Sequence, residues 1–324
     1  MKGLVVKCSR NSFTVQIEQE NSKNTPVSPP QMLECNIKGK ILKNAQDLYN
    51  PLAPGDIVSV LPDTAHPGKG QITGVEERAN YFSRFNQKGK APQLLAANVD
   101  LALCLTTPAY PPFRPRFLDR VILQADAAGI EPLIVCNKID LGIAEGQVEK
   151  RLEDFSRIGY RVLRVSAKTG ENIDQLKGAI AGKCSVVIGQ SGVGKSSLIN
   201  ALFPGFNIKT GDMNVKYERG NHTTVMPALH EMPEEDSVTR IIDTPGIRRF
   251  VPDGISPDEV IVYFREFAPL SGKCSYGLSC SHRVEPGCKI MEAVADGHIN
   301  EDRYVSFLRI IDEINGAREA DYGD

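Results

Sequence analysis

Residues 189–196 read GQSGVGKS, after the apolar run SVVI and before the run SLINALF. Glycines at Gly189, Gly192 and Gly194 let the backbone through Gln190, Ser191 and Val193 curl until its N–H groups face phosphate oxygens. A helix opening at Lys195 adds partial positive charge at its N-terminus. Lys195 is spaced to reach the β- and γ-phosphates of a nucleotide. The Ser196 hydroxyl is spaced to ligate Mg²⁺, with Ser197 next to it. DTPG at 243–246 follows the apolar run TRII. There Asp243 would hold the Mg²⁺ shell, through water, and Gly246 would offer its N–H to the γ-phosphate.

A second pair of motifs reads a base. NKID, residues 137–140, follows PLIVC, and SAKTG, residues 166–170, follows YRVLRV. Asp140 is placed to accept from N1–H and the 2-amino group of guanine, a donor pair that adenine lacks. A site left with an unmatched buried partner discriminates strongly. Asn137 would accept from the base or brace it, the Lys138 stem would cover its face, and Ile139 lies between them. From the second motif, the Ala167 N–H would meet the guanine oxygen, flanked by Ser166 and Lys168. Together these motifs specify GTP.

Their order is inverted relative to Ras-like GTPases, in which the phosphate loop comes first. A cyclic shift of the element order accounts for this, and chain ends that lie close together permit it. The shift joins DTPG directly to the C-terminal region, which gives nucleotide-driven movement a short path there.

The residue after Gly246 is Ile247, which cannot orient water as a glutamine would. Slow turnover in isolation and strong activation by a partner are therefore expected. RGNHTTV, residues 219–225, lies where the first switch belongs. Thr223 or Thr224 would complete the Mg²⁺ shell, and His222 could orient the attacking water. The alternative for His222 is a loop histidine that packs or binds RNA.

Cys274, Cys280, His282 and Cys288 form a third constellation. Three thiolates and an imidazole suit tetrahedral zinc, with no position left for water, so the site reads as structural. The remaining cysteines are scattered, mostly in apolar runs, and read as reduced core residues. His66, His230 and His298 are isolated and read as surface or turn residues.

Three regions must position these groups. Residues 1–92 show short alternating segments split by turn residues: LVVKCSRNSFTVQIE, LECNIKGKIL, DIVSV and GQITGVEER. They suit a small β-barrel, OB-like. This region holds twelve Lys and Arg against eight Asp and Glu. Arg78, Arg84, Lys88 and Lys90 interleave with Tyr81, Phe82 and Phe85. Two readings stand for that stretch: a nucleic-acid surface, or a linker whose aromatics dock on a neighbour. Residues 93–253 alternate strand and helix patterns, as a parallel α/β sheet requires. Residues 254–324 carry the metal cluster and helical runs such as DEVIVYFREF and EDRYVSFLRIIDEING. The net charge of −2 over 324 residues neither favours nor excludes nucleic acid. No apolar run is long enough to span a bilayer, and the N-terminus reads as a strand rather than a signal peptide. A cytoplasmic monomer without membrane contact is expected.

The chain resembles the circularly permuted, small-subunit-dependent GTPases of bacterial ribosomes. The likeness covers nearly its whole length: the OB-like N-terminus, AANVD at 96–100, NKID, SAKTG, GQSGVGKSSLIN, HTT, DTPGIR and the CxH metal cluster. The resemblance implies a multidomain fold. It comprises an N-terminal OB-like barrel, a central permuted P-loop GTPase and a C-terminal α-helical zinc-binding domain. It implies a role in late maturation of the small ribosomal subunit, with hydrolysis stimulated by that subunit. It also implies that the outer domains contact ribosomal RNA, that His222 is the switch histidine and that Cys274, Cys280, His282 and Cys288 hold zinc. Two departures stand out: a first cysteine gap of five residues instead of four, and NHTTV instead of a run of three threonines. The competing reading is a GTP-gated RNA-binding checkpoint on another ribonucleoprotein, such as the large subunit, in which hydrolysis matters little.

Overall fold

The computed structural model describes residues 1–9, 12–18, 30–38, 48–142, 146–206, 208, 226–234 and 237–321. His222, Thr223 and Thr224 lie outside the described residues.

Five strands form the N-terminal barrel: β1 (Lys2–Cys8), β2 (Phe13–Ile17), β3 (Met32–Ile37), β4 (Ile57–Pro62) and β5 (Lys69–Val75). Their order is β1-β2-β3-β5-β4, and β4 pairs back onto β1, which closes the sheet and removes its edges. β3 and β5 are parallel and the other pairs antiparallel. Alternate residues such as Phe13, Val15 and Ile17 point inward and pack with Val5, Leu33, Val58 and Ile72. The segment LVVKCSRNSFTVQIE is thus two strands, joined at a turn in which Ser9 N–H donates to Ser12 O at 2.8 Å.

A two-stranded hairpin, β6 (Tyr81–Asn86) and β7 (Ala91–Ala97), leads into the central sheet. Phe82 is fully buried, 5.8 Å from the Phe250 ring, in the same core as Leu118 and Val121. Arg78 pairs with the buried Asp56 carboxylate at 2.6 Å, and Arg84 donates to Gln93 and to the Arg249 carbonyl. For Phe82, Arg78 and Arg84 the docking alternative describes the contacts, and by packing the hairpin goes with the central core.

That core comprises β8 (Leu101–Thr106), α1 (Pro115–Ala127), β9 (Glu131–Cys136), α2 (Gln147–Ile158), β10 (Arg161–Arg164), α3 (Ile173–Ile180), β11 (Cys184–Gly189), α4 (Lys195–Leu202), β12 (Ala228–Pro233) and β13 (Val238–Asp243). The strand order is β10-β9-β8-β11-β13-β12. All neighbours are parallel except β12, which runs antiparallel to β13. β8, β9 and β11 are buried on both faces, as their unbroken apolar runs require. α1 and α2 cover one face, and α3 and α4 the other.

The C-terminal region packs on α1. A 3-10 segment (Pro257–Tyr263) opens with a capping box between Ser256 and Glu259, where a longer helix was expected from DEVIVYFREF. α5 (Lys289–Ala295) and α6 (Glu301–Asp321) follow. Phe264, Phe267, Phe307 and Ile310 form this core, joined by Leu123 of α1. Arg303 is buried at the junction. Its guanidinium meets Glu266 at 2.6 Å and Asp119 at 2.9 Å, and sits 4.3 Å over the Phe264 ring. Among the described residues, no helix is long and apolar enough to cross a membrane.

Candidate nucleotide site and metal centre

The strand order reverses between β8 and β11, and in open α/β sheets ligands bind beyond the strand C-termini at such a point. Four of the loops singled out by motif leave strands there. The loop after β11 carries residues 190–194, that after β13 carries DTPG, and those after β9 and β10 carry NKID and SAK.

Asn137 ties three of these loops together. It is 1% exposed, donates from Nδ2 to Val193 O at 3.0 Å and accepts from the Ala167 N–H at Oδ1, also at 3.0 Å. Both expected roles concern the base, whereas these bonds brace the loops against one another. The Ala167 N–H expected on the guanine oxygen is engaged by Asn137 in this arrangement. Lys138 adopts a left-handed conformation, and its Nζ donates to Gly192 O and Tyr110 O, both at 2.7 Å. Tyr110 belongs to the loop after β8, a contributor that sequence reasoning missed, since only its carbonyl is used. Asp140 accepts from Ser166 Oγ at 2.7 Å through Oδ1, and Lys168 approaches Oδ2 at 3.8 Å. Ile139 spans NKID by donating its N–H to Val165 O at 3.3 Å.

The phosphate loop leans on these contacts. Gly194 has φ 92°, and an added Cβ would lie 2.6 Å from Asn137 Nδ2. The N-terminus of α4 at Lys195 has no side-chain cap, so its backbone N–H groups face the loop. Ser196 and Ser197 sit in this first turn. Lys195 Nζ donates to Gly189 O and Gln190 O, each at 3.0 Å. Burial pushes its pKa down to about 8, against the pull of the Asp243 carboxylate. Burial raises the Asp243 pKa in turn, opposed by Lys195 and the Thr244 N–H. Asp243 Oδ1 is buried with no hydrogen-bond partner among the described residues. A carboxylate oxygen left without a partner in the field of Lys195, the residue before Ser196, suits a divalent cation, so the donor set fits Mg²⁺.

DTPG is packed on the phosphate loop. Thr244 Oγ1 donates to Val187 O at 2.6 Å, and Ile247 N–H donates to Gly189 O at 3.2 Å. A Cβ on Gly246 would lie 2.8 Å from Ser191 Cα. Ile247 is 4% exposed and joins the core with Phe250. Its side chain is engaged in packing, which leaves it no role towards water.

The four metal-ligand candidates converge. Cys274 Sγ is 3.6 Å from His282 Nδ1 and 3.9 Å from Cys288 Sγ, and His282 Nδ1 is 3.4 Å from Cys288 Sγ. All four ligand atoms, Cys280 Sγ included, lie within 4.8 Å of one another and are buried. Zn–S near 2.3 Å and Zn–N near 2.0–2.1 Å require tetrahedral edges of about 3.5–3.8 Å, so the donor set fits zinc. Lys289 N–H points at Cys274 Sγ at 3.3 Å, and Tyr304 OH donates to His282 O at 2.6 Å. Such outer contacts fix ligand orientation. The Ser281 hydroxyl, then the Ser281 and Arg283 N–H groups, hold the Glu285 carboxyl well below the usual range, and these N–H bonds brace the loop between ligands. The other histidines have different surroundings. His66 pairs with Asp63 at the surface, and His230 stacks on Phe206 at 5.2 Å.

Comparison with known proteins agrees with this geometry. Residues 75–251 match the family model described as RsgA GTPase. A protein of Bacteroides thetaiotaomicron named small ribosomal subunit biogenesis GTPase RsgA 2 is 36% identical over 319 residues, covering 97% of each chain. A Bacteroides fragilis protein named small ribosomal subunit biogenesis GTPase RsgA is 34% identical over 316 residues, again covering 97% of each. The crystal structure of YjeQ from Thermotoga maritima superposes with a TM-score of 0.69 at 29% identity, covering 97% of this chain and 98% of that one. The structure of YloQ, titled a circularly permuted GTPase, gives 0.65 at 26% identity, covering 97% and 95%. With a family model matched through the nucleotide core and relatives matched end to end, this chain belongs to the RsgA GTPase family.

Proposed function

We propose that this chain binds GTP with Mg²⁺, hydrolyses it to GDP and phosphate, and does so under stimulation by the small ribosomal subunit during late maturation of that subunit. The observation that carries the reading is the Asn137 brace, which joins a guanine-reading loop to a phosphate loop within one cleft. The names of the relatives support the subunit as partner. Asp140 reads the base, aided by Lys138 and Lys168. The loop N–H groups from Gln190 to Ser197 and the Lys195 ammonium hold the phosphates. Ser196 and Asp243, with Thr223 or Thr224, hold Mg²⁺, whose charge offsets that developing on the transferred phosphoryl group. His222 orients the water that attacks the γ-phosphorus. Ile247, buried in the core, supports slow turnover in isolation.

In this reading the N-terminal region of residues 1–92, through its barrel, and the zinc domain of residues 254–324 contact ribosomal RNA on either side of a GTPase domain at 93–253. The protein acts as a cytoplasmic monomer. The test is GTP turnover alone, with purified small subunits and with large subunits. A rise of at least about tenfold confined to small subunits is expected, and equal rates in all three overturn the reading. Ile247 also favours a second reading, a GTP-gated checkpoint on RNA in which binding alone matters. Release from the subunit at an equal rate with a non-hydrolysable GTP analogue would select it.

A further inference from the structure

β12 follows the first-switch motif, beginning at Ala228, three residues after Val225. It is the outer strand of the central sheet, and an outer strand presents a row of unpaired backbone groups. Here the barrel meets that edge. β1 pairs with β12 at Lys7 and Ala228. Met226, just upstream, packs against the barrel core of Val5, Phe13 and Leu33.

Continuing this antiparallel register would set Leu4 opposite Glu231. At that level the joint is made by side chains. Gln16, the partner of Leu4 across β2, donates from Nε2 to Glu231 Oε2 at 2.6 Å. The other oxygen, Oε1, accepts from Arg240 Nε at 2.7 Å, and Arg240 is directly opposed to Glu231 on β13. β13 ends at Asp243. The Glu231 side chain is 20% exposed, so this charge-assisted joint is largely shielded from water.

We infer that the barrel holds the chain where it leaves the first-switch motif, with Gln16, Met226 and Glu231 as positioning residues. Met226, Ala228 and Glu231 fix where the chain leaves the first-switch motif. A macromolecule that loads the barrel therefore acts on β12 and, through Arg240, on the strand that carries Asp243. Only the turnover readout below rests on the subunit reading.

The first measurement is hydrogen exchange on the full chain, bound to GDP or to a non-hydrolysable GTP analogue. In the unaltered protein, exchange of the β1 amides differs between the two states by at least about fivefold, the low end of allosteric coupling. Gln16→Ala and Glu231→Ala each abolish the difference while nucleotide affinity stays within about twofold. Glu231→Gln keeps an acceptor oxygen for Arg240, and its NH2 can donate to Gln16 Oε1 once the Gln16 amide turns over, so this variant retains the difference. The inference is overturned if β1 exchange is identical in both states, if the alanine variants keep the difference, or if they lose nucleotide affinity in parallel. The second measurement is turnover. Stimulation by small subunits, measured against each variant's own basal rate, drops at least about fivefold in both alanine variants, and full stimulation in those variants also overturns it. If subunits stimulate no form of the protein, the functional reading fails, and exchange still decides the joint.

Discussion

Gly194→Ala should damage nucleotide binding far more than it damages the fold. Gly194 occupies the left-handed region, and a Cβ there would lie 2.6 Å from Asn137 Nδ2. An L-residue in that conformation costs about 1–2 kcal/mol. Moving the Asn137 amide breaks its bond to Val193 O and leaves buried groups unpaired, which costs about 1–3 kcal/mol. The free protein escapes this strain by letting the loop leave its phosphate-cradling shape, and nucleotide must then restore that shape. The sum, about 2–5 kcal/mol, corresponds to a weakening of about 30-fold to 4,000-fold in Kd. Titration with a fluorescent GDP or GTP analogue measures it, and thermal unfolding without nucleotide checks that the fold persists. Gly178→Ala is the control, since an added Cβ there meets nothing within 4 Å. A Gly194→Ala protein with Kd within threefold of the parent would refute the claim that the brace shapes the phosphate loop.

Lys195 gives a pH prediction. Its pKa is held down to about 8 by burial, so above that pH the nucleotide-free protein carries a neutral amine and phosphate binding must take up a proton. Titrations at successive pH values should show GTP affinity weakening above pH 8 by up to about tenfold per unit. Because the folded pKa lies below the ordinary value, the nucleotide-free fold gains stability as pH rises from about 8 towards 10.5, measurable by urea unfolding. Cys288→Ser, or a zinc-selective chelator with Mg²⁺ kept in excess, should remove one zinc per chain by metal analysis. Either should also lower the melting temperature by several degrees, with GDP affinity unchanged. Arg303→Met strips Glu266 of its cation and leaves Asp119 with Arg151 alone, and should cost about 3–5 kcal/mol in urea unfolding. Adding Glu266→Gln should recover part of that loss.

The nucleotide loops were legible because each is a contiguous run whose residue types are set by the ligand. The barrel was legible from alternation, although one segment hid two strands behind the turn at Ser9–Ser12. β12 was not legible. ALHEMP has no strong strand pattern, and it is extended because β13 and β1 pair with it. The stretch from Arg78 to Phe85 showed basic and aromatic residues but not their direction, and Phe82 turns out to be core. Arg303 lies in the helical run EDRYVSF, where nothing local marks it as buried. Its burial depends on Asp119 and Glu266, distant in sequence, which no local pattern reports.

Circular permutation has a mechanical consequence that the motif order alone did not reveal. The chain enters the core through β6 and β7 and leaves it after DTPG, and these two passages are bonded to each other. Phe85 N–H donates to Val251 O at 3.0 Å, Ser83 Oγ donates to Asp253 Oδ2 at 2.7 Å, and Phe82 packs on Phe250. Gln124 of α1 closes the group with two bonds to the Asp253 backbone. Displacing the chain beyond Ile247 would therefore break several buried contacts at once. The path from DTPG to the zinc domain is short, as the motif order suggests, but it is a strap rather than a hinge. A block of hairpin, α1 and zinc domain held this way can shift only as a body. Local response to the γ-phosphate is then left to the turn at Thr244–Gly246 and to the first-switch side, whose exit is held by the barrel.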